Sequence, residues 1–241
     1  MSRTSIYSAL ILRSRPSGES NSEVFLLTAE EGIIKATVFG GPKSKLRAFA
    51  SPYNSGQVWL YRDKAKEYAK LSDIDVQSWR PGLREMYDRT MAAAAIAQTI
   101  LSSHGGGGEW NTALYLAAET LDALGSANED MCRRLLIHFL WRWAGFLGIQ
   151  PSLEYCSNCR QEGDLWYSEK EGALLCANCN LQSAMIKLNG GSRKWLSVTG
   201  EVEPSALHRY SMDGKSYDEA KALVTAVLAQ ALGKRLESWE W

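Results

Sequence analysis

The chain has 241 residues, 45% hydrophobic and 22% charged, enough apolar material to bury a core and to build two or three small domains. Basic and acidic residues balance at 27 each, so no global field marks a nucleic-acid binder, and any such role must rest on a local patch. The most apolar run, Met91 to Leu101, falls far short of the roughly 20 residues a membrane-spanning helix needs, and no membrane partner is expected.

From Ser5 to about Trp79 the pattern is strand-like. The runs Ile6 to Leu12, Val24 to Thr28, Ile33 to Phe39, Gln57 to Tyr61 and Tyr68 to Val76 are separated by turn residues: Pro16-Ser17-Gly18-Glu19-Ser20, Ala29-Glu30-Glu31-Gly32 and Gly40-Gly41-Pro42. Five strands in this length predict a small barrel, with an OB-fold the natural choice and an SH3-like barrel left open by pattern alone. Between positions 35 and 70 lie Lys35, Lys43, Lys45, Arg47, Arg62, Lys64, Lys66 and Lys70 against only Asp63 and Glu67, a strongly basic segment within a neutral chain. Phe39, Phe49 and Tyr53 are interleaved with these cations, a composition suited to following phosphates and stacking bases. The same composition also describes a solvated loop whose aromatics plug the end of a barrel.

From Pro81 the period lengthens. Leu83, Met86, Tyr87, Thr90, Met91, Ala94, Ala95 and Ile100 recur at helical spacing until Gly105-Gly106-Gly107-Gly108 ends the helix. Helices are also predicted from Asn111 to Leu124 and from Glu129 to Leu147, the second stopped by Gly148 and Pro151. Within the latter, Cys132 reads as a small buried thiol and His138 as a core histidine. Asn189-Gly190-Gly191 is expected to break the chain after Leu188. Ser216 to Trp239 is expected to be helical, with Ser216-Tyr217-Asp218-Glu219 as its capping box.

Two brackets, Cys156-Ser157-Asn158-Cys159 and Cys176-Ala177-Asn178-Cys179, are separated by sixteen residues. Each CxxC turn brings two sulfurs to one side of an ion, and together they predict a tetrahedral, structural zinc site with no open position for water. A thioredoxin-like redox pair lacks its βαβ setting, and iron–sulfur clusters use more tightly bunched cysteines. Disulfides would require an oxidising compartment, whereas no apolar leader follows Met1-Ser2-Arg3-Thr4-Ser5, and an intracellular location is expected. No GxxxxGK[ST] loop or H-x-E deaminase motif occurs, and His104, His138 and His208 show no nucleophile-and-base arrangement, so no enzyme is expected.

Several motifs, in order, carry a family resemblance. The segment Ala9-Leu10-Ile11-Leu12-Arg13-Ser14-Arg15-Pro16-Ser17-Gly18-Glu19-Ser20, with Leu26-Leu27-Thr28 and Glu31-Gly32, resembles the start of the bacterial RecO recombination mediators. Gly40-Gly41-Pro42-Lys43-Ser44-Lys45-Leu46 resembles that family's basic loop, and Leu60-Tyr61-Arg62 its fourth strand. Gly148-Ile149-Gln150-Pro151-Ser152-Leu153-Glu154-Tyr155-Cys156, continuing to Cys159, and Leu175-Cys176-Ala177-Asn178-Cys179 resemble the segments that open and close its zinc module.

The resemblance implies an α+β multidomain chain with an N-terminal five-stranded OB-fold barrel, a helical domain and an inserted four-cysteine zinc module. The corresponding divisions are residues 1–80, 81–150, 151–186 and 187–241. It implies binding of single- and double-stranded DNA, annealing of complementary strands, and loading of RecA onto strands coated by single-strand-binding protein, together with RecR, in the bacterial cytoplasm at the nucleoid. It places DNA-backbone contacts at Arg13, Lys35, Lys43, Lys45 and Arg47, with Phe39 and Tyr53 as lesser candidates for stacking, and the metal ligands at Cys156, Cys159, Cys176 and Cys179; it does not locate the face for a partner's acidic tail, for which Arg133 and Arg134 are candidates by charge alone. The chain is less basic than many relatives at Ala29-Glu30-Glu31-Gly32 and Gly40-Gly41, which implies weak DNA affinity on its own and help from partner proteins. The rival expectation is a zinc-containing adaptor or transcription-related protein acting through protein contacts.

Overall fold

The computed structural model describes residues 4–41, 43–63, 68–180 and 186–239. Pro42, Lys64, Lys66 and Glu67 of the basic segment lie outside the described residues. The chain divides into two compact units, Met1–Ser126 and Ala127–Trp241.

In the first unit, β1 (Thr4–Ser17), β2 (Asn21–Thr28), β3 (Gly32–Val38), β4 (Ser55–Asp63) and β5 (Tyr68–Ser78) close into a barrel of order β1-β2-β3-β5-β4. Strand β1 pairs antiparallel with both β2 and β4, and β3 meets β5 in parallel at Thr37 and Lys70. This is the OB-fold, which settles the choice between the two barrels. All five predicted strands form because their apolar residues alternate. Tyr7, Ala9, Ile11, Val24, Leu26, Ile34, Val58 and Leu60 fill the interior. The stretch expected to be a long loop contains one short helix, α1 (Lys45–Phe49), whose Leu46 and Phe49 pack against that interior.

Helices α2 (Tyr87–Ser102) and α3 (Trp110–Leu124) belong to the same unit as the barrel. The β2–β3 turn requires glycine twice over. Gly32 has φ +69°, and a Cβ there would lie 2.8 Å from the Trp110 ring at the start of α3. Arg80, 7% exposed, ties α3 to the barrel. Its guanidinium donates to the Tyr53 carbonyl at 2.7 Å and the Ser55 hydroxyl at 2.8 Å, and pairs with Asp122 at 2.7 Å.

The second unit contains α4 (Glu129–Phe146), a three-stranded sheet of order β7-β6-β8, and helices α5 (Gly190–Thr199) and α6 (Gly214–Leu232). The sheet is built from β6 (Leu165–Ser168), β7 (Ala173–Leu175) and β8 (Ile186–Leu188). Two readings of the sequence are corrected here. Asn189-Gly190-Gly191 opens a helix instead of simply breaking the chain, because the Asn189 side chain accepts the Ser192 N–H at 2.8 Å and caps it. The last long helix is capped by Asp213, which accepts the Ser216 N–H at 3.0 Å, so Ser216 is not its N-cap. Glu219, the expected partner in a capping box, instead accepts the Asn189 N–H at 2.6 Å and the Ser192 hydroxyl at 2.9 Å. That helix ends at Leu232, where Gly233 turns left-handed with φ +65°, and a separate 3-10 turn carries Glu237–Trp239.

His138 is buried on α4, with Nε2 3.0 Å from the Thr199 carbonyl and 2.9 Å from that of Val202. Burial, with the nearby Arg142 charge, lowers its pKa to about 4. An unfolded chain takes up this proton near pH 6.5. Between about pH 6.5 and 4 the unfolded state therefore binds more protons, and stability falls as pH falls, by up to ~3 kcal/mol from this group. Urea melts at pH 7 and pH 4.5 should show a smaller acid loss in His138→Gln than in the parent chain. Equal losses would remove His138 from the acid sensitivity.

Candidate functional site

Strand β1 changes phase at Leu12. Ile11 pairs with Leu26, and the next paired residue, Arg13, faces Phe25, leaving Leu12 as the extra residue of a β-bulge. Before the bulge the odd-numbered Tyr7, Ala9 and Ile11 point inward; after it Arg13 and Arg15 are exposed. Phe25 in turn pairs with Lys35, so Arg13, Phe25 and Lys35 form one row across three strands. In the next row Arg15, Glu23 and Thr37 are neighbours, and Thr37 pairs with Lys70. The Arg15 guanidinium lies 5.3 Å from the Phe25 ring centre, and the Lys70 ammonium lies 5.4 Å from that of Phe39.

One carboxylate serves two of these cations. Glu23 is held by the Lys35 ammonium at 2.8 Å and by Arg15 Nε at 2.6 Å. The Lys35 hydrogen bond, reinforced by Arg15, keeps the Glu23 carboxyl below its usual range against the opposing effect of burial. Arg13 makes no ion pair among the described residues, so the face keeps a positive excess. Beside it a cleft of about 490 Å³ is lined by Ile33, Lys35, Arg62 and Tyr68, with Arg62 bound to Glu31. Thus Glu23 and Glu31, both outside the basic segment in sequence, offset cations within or beside it.

Lys43, Lys45 and Arg47 occupy a different element, the turn before α1 and α1 itself. Lys43 and Lys45 are exposed and Arg47 is half-buried. Phe39 is exposed, whereas Tyr53 is largely enclosed and its backbone is fixed on both sides, its N–H donating to Ile11 at 2.7 Å and its carbonyl accepting from Arg80. Burial raises the Tyr53 pKa, against a smaller opposing pull from Arg84. Arg15, Phe25 and Lys70 join the face through register, which the sequence signalled only as residues alternating two by two.

In the second unit, the sulfurs of Cys156, Cys159, Cys176 and Cys179 all lie within 4.8 Å of one another and could hold a metal ion. Cys159 and Cys176 Sγ are 3.6 Å apart, close to the ~3.8 Å edge of a tetrahedron with 2.3 Å metal–sulfur bonds. The all-sulfur donor set fits zinc. Burial alone would raise the Cys156 thiol pKa, but the backbone N–H groups of Cys159, Cys176 and Asn158 pull it down to about 6. Cys179 is pushed up to about 12, first by the adjacent Cys159 sulfur and then by burial. Four crowded thiols resist ionising together; a divalent cation removes that resistance.

The surrounding chain is built to hold this cluster. Arg160 adopts φ +64° after the first bracket and lies 3.9 Å over the Tyr155 ring. The Arg193 side chain donates to the Leu153 carbonyl at 2.7 Å, that of Glu154 at 2.9 Å, and that of Gly163. Tyr167 on β6 donates to Gln230 of α6 at 2.7 Å. Cys132, remote in role, is buried on α4. Arg134 is engaged by the Tyr210 carbonyl at 2.7 Å and by Asp130 at 2.6 Å, and Arg133 pairs with Glu129 at 2.6 Å.

A family model described as the N terminal of recombination protein O matches residues 1–79, and one for its C terminal matches residues 84–240. The chain belongs to the RecO family. Proteins named DNA repair protein RecO include one from Desulforamulus reducens, 25% identical over 97% of this chain and 91% of its own length. Those from Pelotomaculum thermopropionicum and Bacillus subtilis are 29% and 27% identical, covering 79% and 95% of this chain and 74% and 90% of theirs. The barrel carrying the basic rows thus corresponds to the RecO N-terminal domain, and no helix among the described residues is long and apolar enough to cross a membrane.

For the cysteine cluster, titration with cobalt(II) should give thiolate charge-transfer bands saturating at one ion per chain. Cys156→Ser or Cys176→Ser should abolish the bands and the zinc found in purified protein. Unaltered metal content in both variants would contradict a four-sulfur site.

Proposed function

We propose that this chain is a DNA-binding recombination mediator that anneals complementary single strands and helps load RecA onto strands coated by single-strand-binding protein. The observation that supports it best is the Arg13–Phe25–Lys35 row on the outer face of an OB barrel in a RecO-family chain. Cations flanking an aromatic ring suit a backbone-following, sequence-independent contact, with the cationic side chains displacing counterions from the phosphates. Lys43, Lys45 and Arg47 extend the proposed contact along α1.

Annealing by this route needs no catalytic residue. Two strands held near one cationic surface repel each other less, and pairing then supplies the free energy. Glu23 competes with phosphate for Arg15 and Lys35, so affinity on its own is modest and RecR and single-strand-binding protein supply the remainder. Residues 151–186 act as a discrete module whose Cys156, Cys159, Cys176 and Cys179 hold a structural zinc. The closed coordination shell leaves zinc no role in chemistry, and the protein works in the bacterial cytoplasm on nucleoid DNA.

Fluorescence anisotropy with a labelled single strand, across a salt series, tests this reading. Arg13→Ala/Lys35→Ala and Lys43→Ala/Lys45→Ala/Arg47→Ala should each weaken binding and flatten the salt slope by about 0.7 per lost phosphate contact. Glu23→Gln should strengthen binding. Binding that is absent or salt-insensitive in the parent chain would favour an adaptor working only through protein partners.

A further inference from the structure

Of the exposed large apolar residues, Trp79 is distinguished by its setting. It follows β5, is 46% exposed, and meets the Phe49 ring edge-to-face at 5.2 Å with an interplanar angle of 82°. Phe49 is the last residue of α1 and packs its other side on the barrel interior, so it forms a fixed support. The backbone around Trp79 is equally constrained. Ser78 pairs with Ser55 on β4, and Arg80, in a left-handed conformation at φ +46°, is pinned to Tyr53, Ser55 and Asp122. An indole left half in water on so rigid a frame is displayed, not merely uncovered.

The segments that meet at Trp79 carry cations. Arg47 lies two residues before Phe49, with Lys43 and Lys45 preceding it, and exposed Arg84 reaches the Pro52 carbonyl at 2.9 Å beside Tyr53. Of the acids in these segments, Glu85 faces Arg89 at 3.7 Å and Asp122 is paired with Arg80. A flat aromatic face among cations fits an unpaired base whose phosphates are held by those cations; duplex bases, already stacked, offer no free face.

We infer that Trp79 is a base-stacking residue for single-stranded nucleic acid, supported by Phe49, with the phosphates taken by cations of the adjoining segments such as Arg47 on α1 and Arg84 after Arg80. The inference rests on the nucleic-acid reading given above and adds to it selectivity for single strands. It also transfers the stacking role from Tyr53, which is enclosed, to a residue whose ring is available.

The test compares an oligothymidylate, an abasic oligonucleotide of equal length and a duplex, with the parent chain, Trp79→Ala, Trp79→Leu and Trp79→Phe. Trp79→Leu keeps apolar packing on Phe49 and serves if Trp79→Ala melts early. Loss of stacking should weaken oligothymidylate binding by roughly 5- to 150-fold in the Ala and Leu variants while leaving abasic and duplex binding unchanged, with Trp79→Phe restoring most of it. Unchanged oligothymidylate affinity in a folded Leu variant overturns the inference and leaves Trp79 as a cover for Phe49. Equal losses on all three nucleic acids also overturn it. A parent chain that binds none of them overturns the nucleic-acid reading itself.

Discussion

Strand β1 must close a barrel and leave it within fourteen residues, and the extra residue at Leu12 is where that conflict is resolved. Through Leu10 the strand pairs with β4, and Ile11 exchanges backbone hydrogen bonds with Tyr53 and Asn54. Beyond the bulge it continues beside β2, which stays paired with β3 as far as Ser22 and Val38. Without the shift of phase, Arg13 and Arg15 would point along the inward side with Ile11, where an unpaired guanidinium is not tolerated. A packing constraint thus becomes an electrostatic one: closure of the barrel decides which side chains can meet a ligand.

The face so formed is tuned, not simply basic. Antiparallel register delivers Glu23 to Arg15 and Lys35, and the β2–β3 turn delivers Glu31 to Arg62. Exposed pairs of this kind are weak and are readily exchanged for phosphate, in a manner that depends on salt. Cations partly offset by their own carboxylates hold phosphate less tightly than unpaired ones, in keeping with the modest affinity proposed above. In the second unit Arg193 ties together the chain on either side of the first cysteine bracket, and Tyr167 on β6 is joined to Gln230 on α6.

Much of this was legible before the fold was known, and the remainder failed for identifiable reasons. Alternation revealed all five barrel strands because each buries one face, and the CxxC spacing revealed the cysteine cluster because ligand geometry is local. Four consecutive apolar residues, Ala9-Leu10-Ile11-Leu12, were the trace of the bulge in the sequence. Helix α5 was missed because Gly190 and Gly191 read as breakers, although Asn189 before them supplies the cap. Ser216 seemed the natural cap for α6 until Asp213, three residues earlier, took its N–H. Counting charge between positions 35 and 70 overlooked Glu23 and Glu31, whose proximity depends on strand register. Trp79 was lost among nine scattered tryptophans, since display depends on neighbours that composition does not specify.

The most direct test of the account is lysine footprinting by acylation and mass spectrometry, with and without a bound single-stranded oligonucleotide. Lys35, Lys43 and Lys45 should be shielded by the strand, while exposed Lys170 and Lys215 of the second unit react unchanged. Protection of Lys170 and Lys215 with Lys35, Lys43 and Lys45 still fully reactive would place the nucleic acid elsewhere and contradict the barrel face as its site.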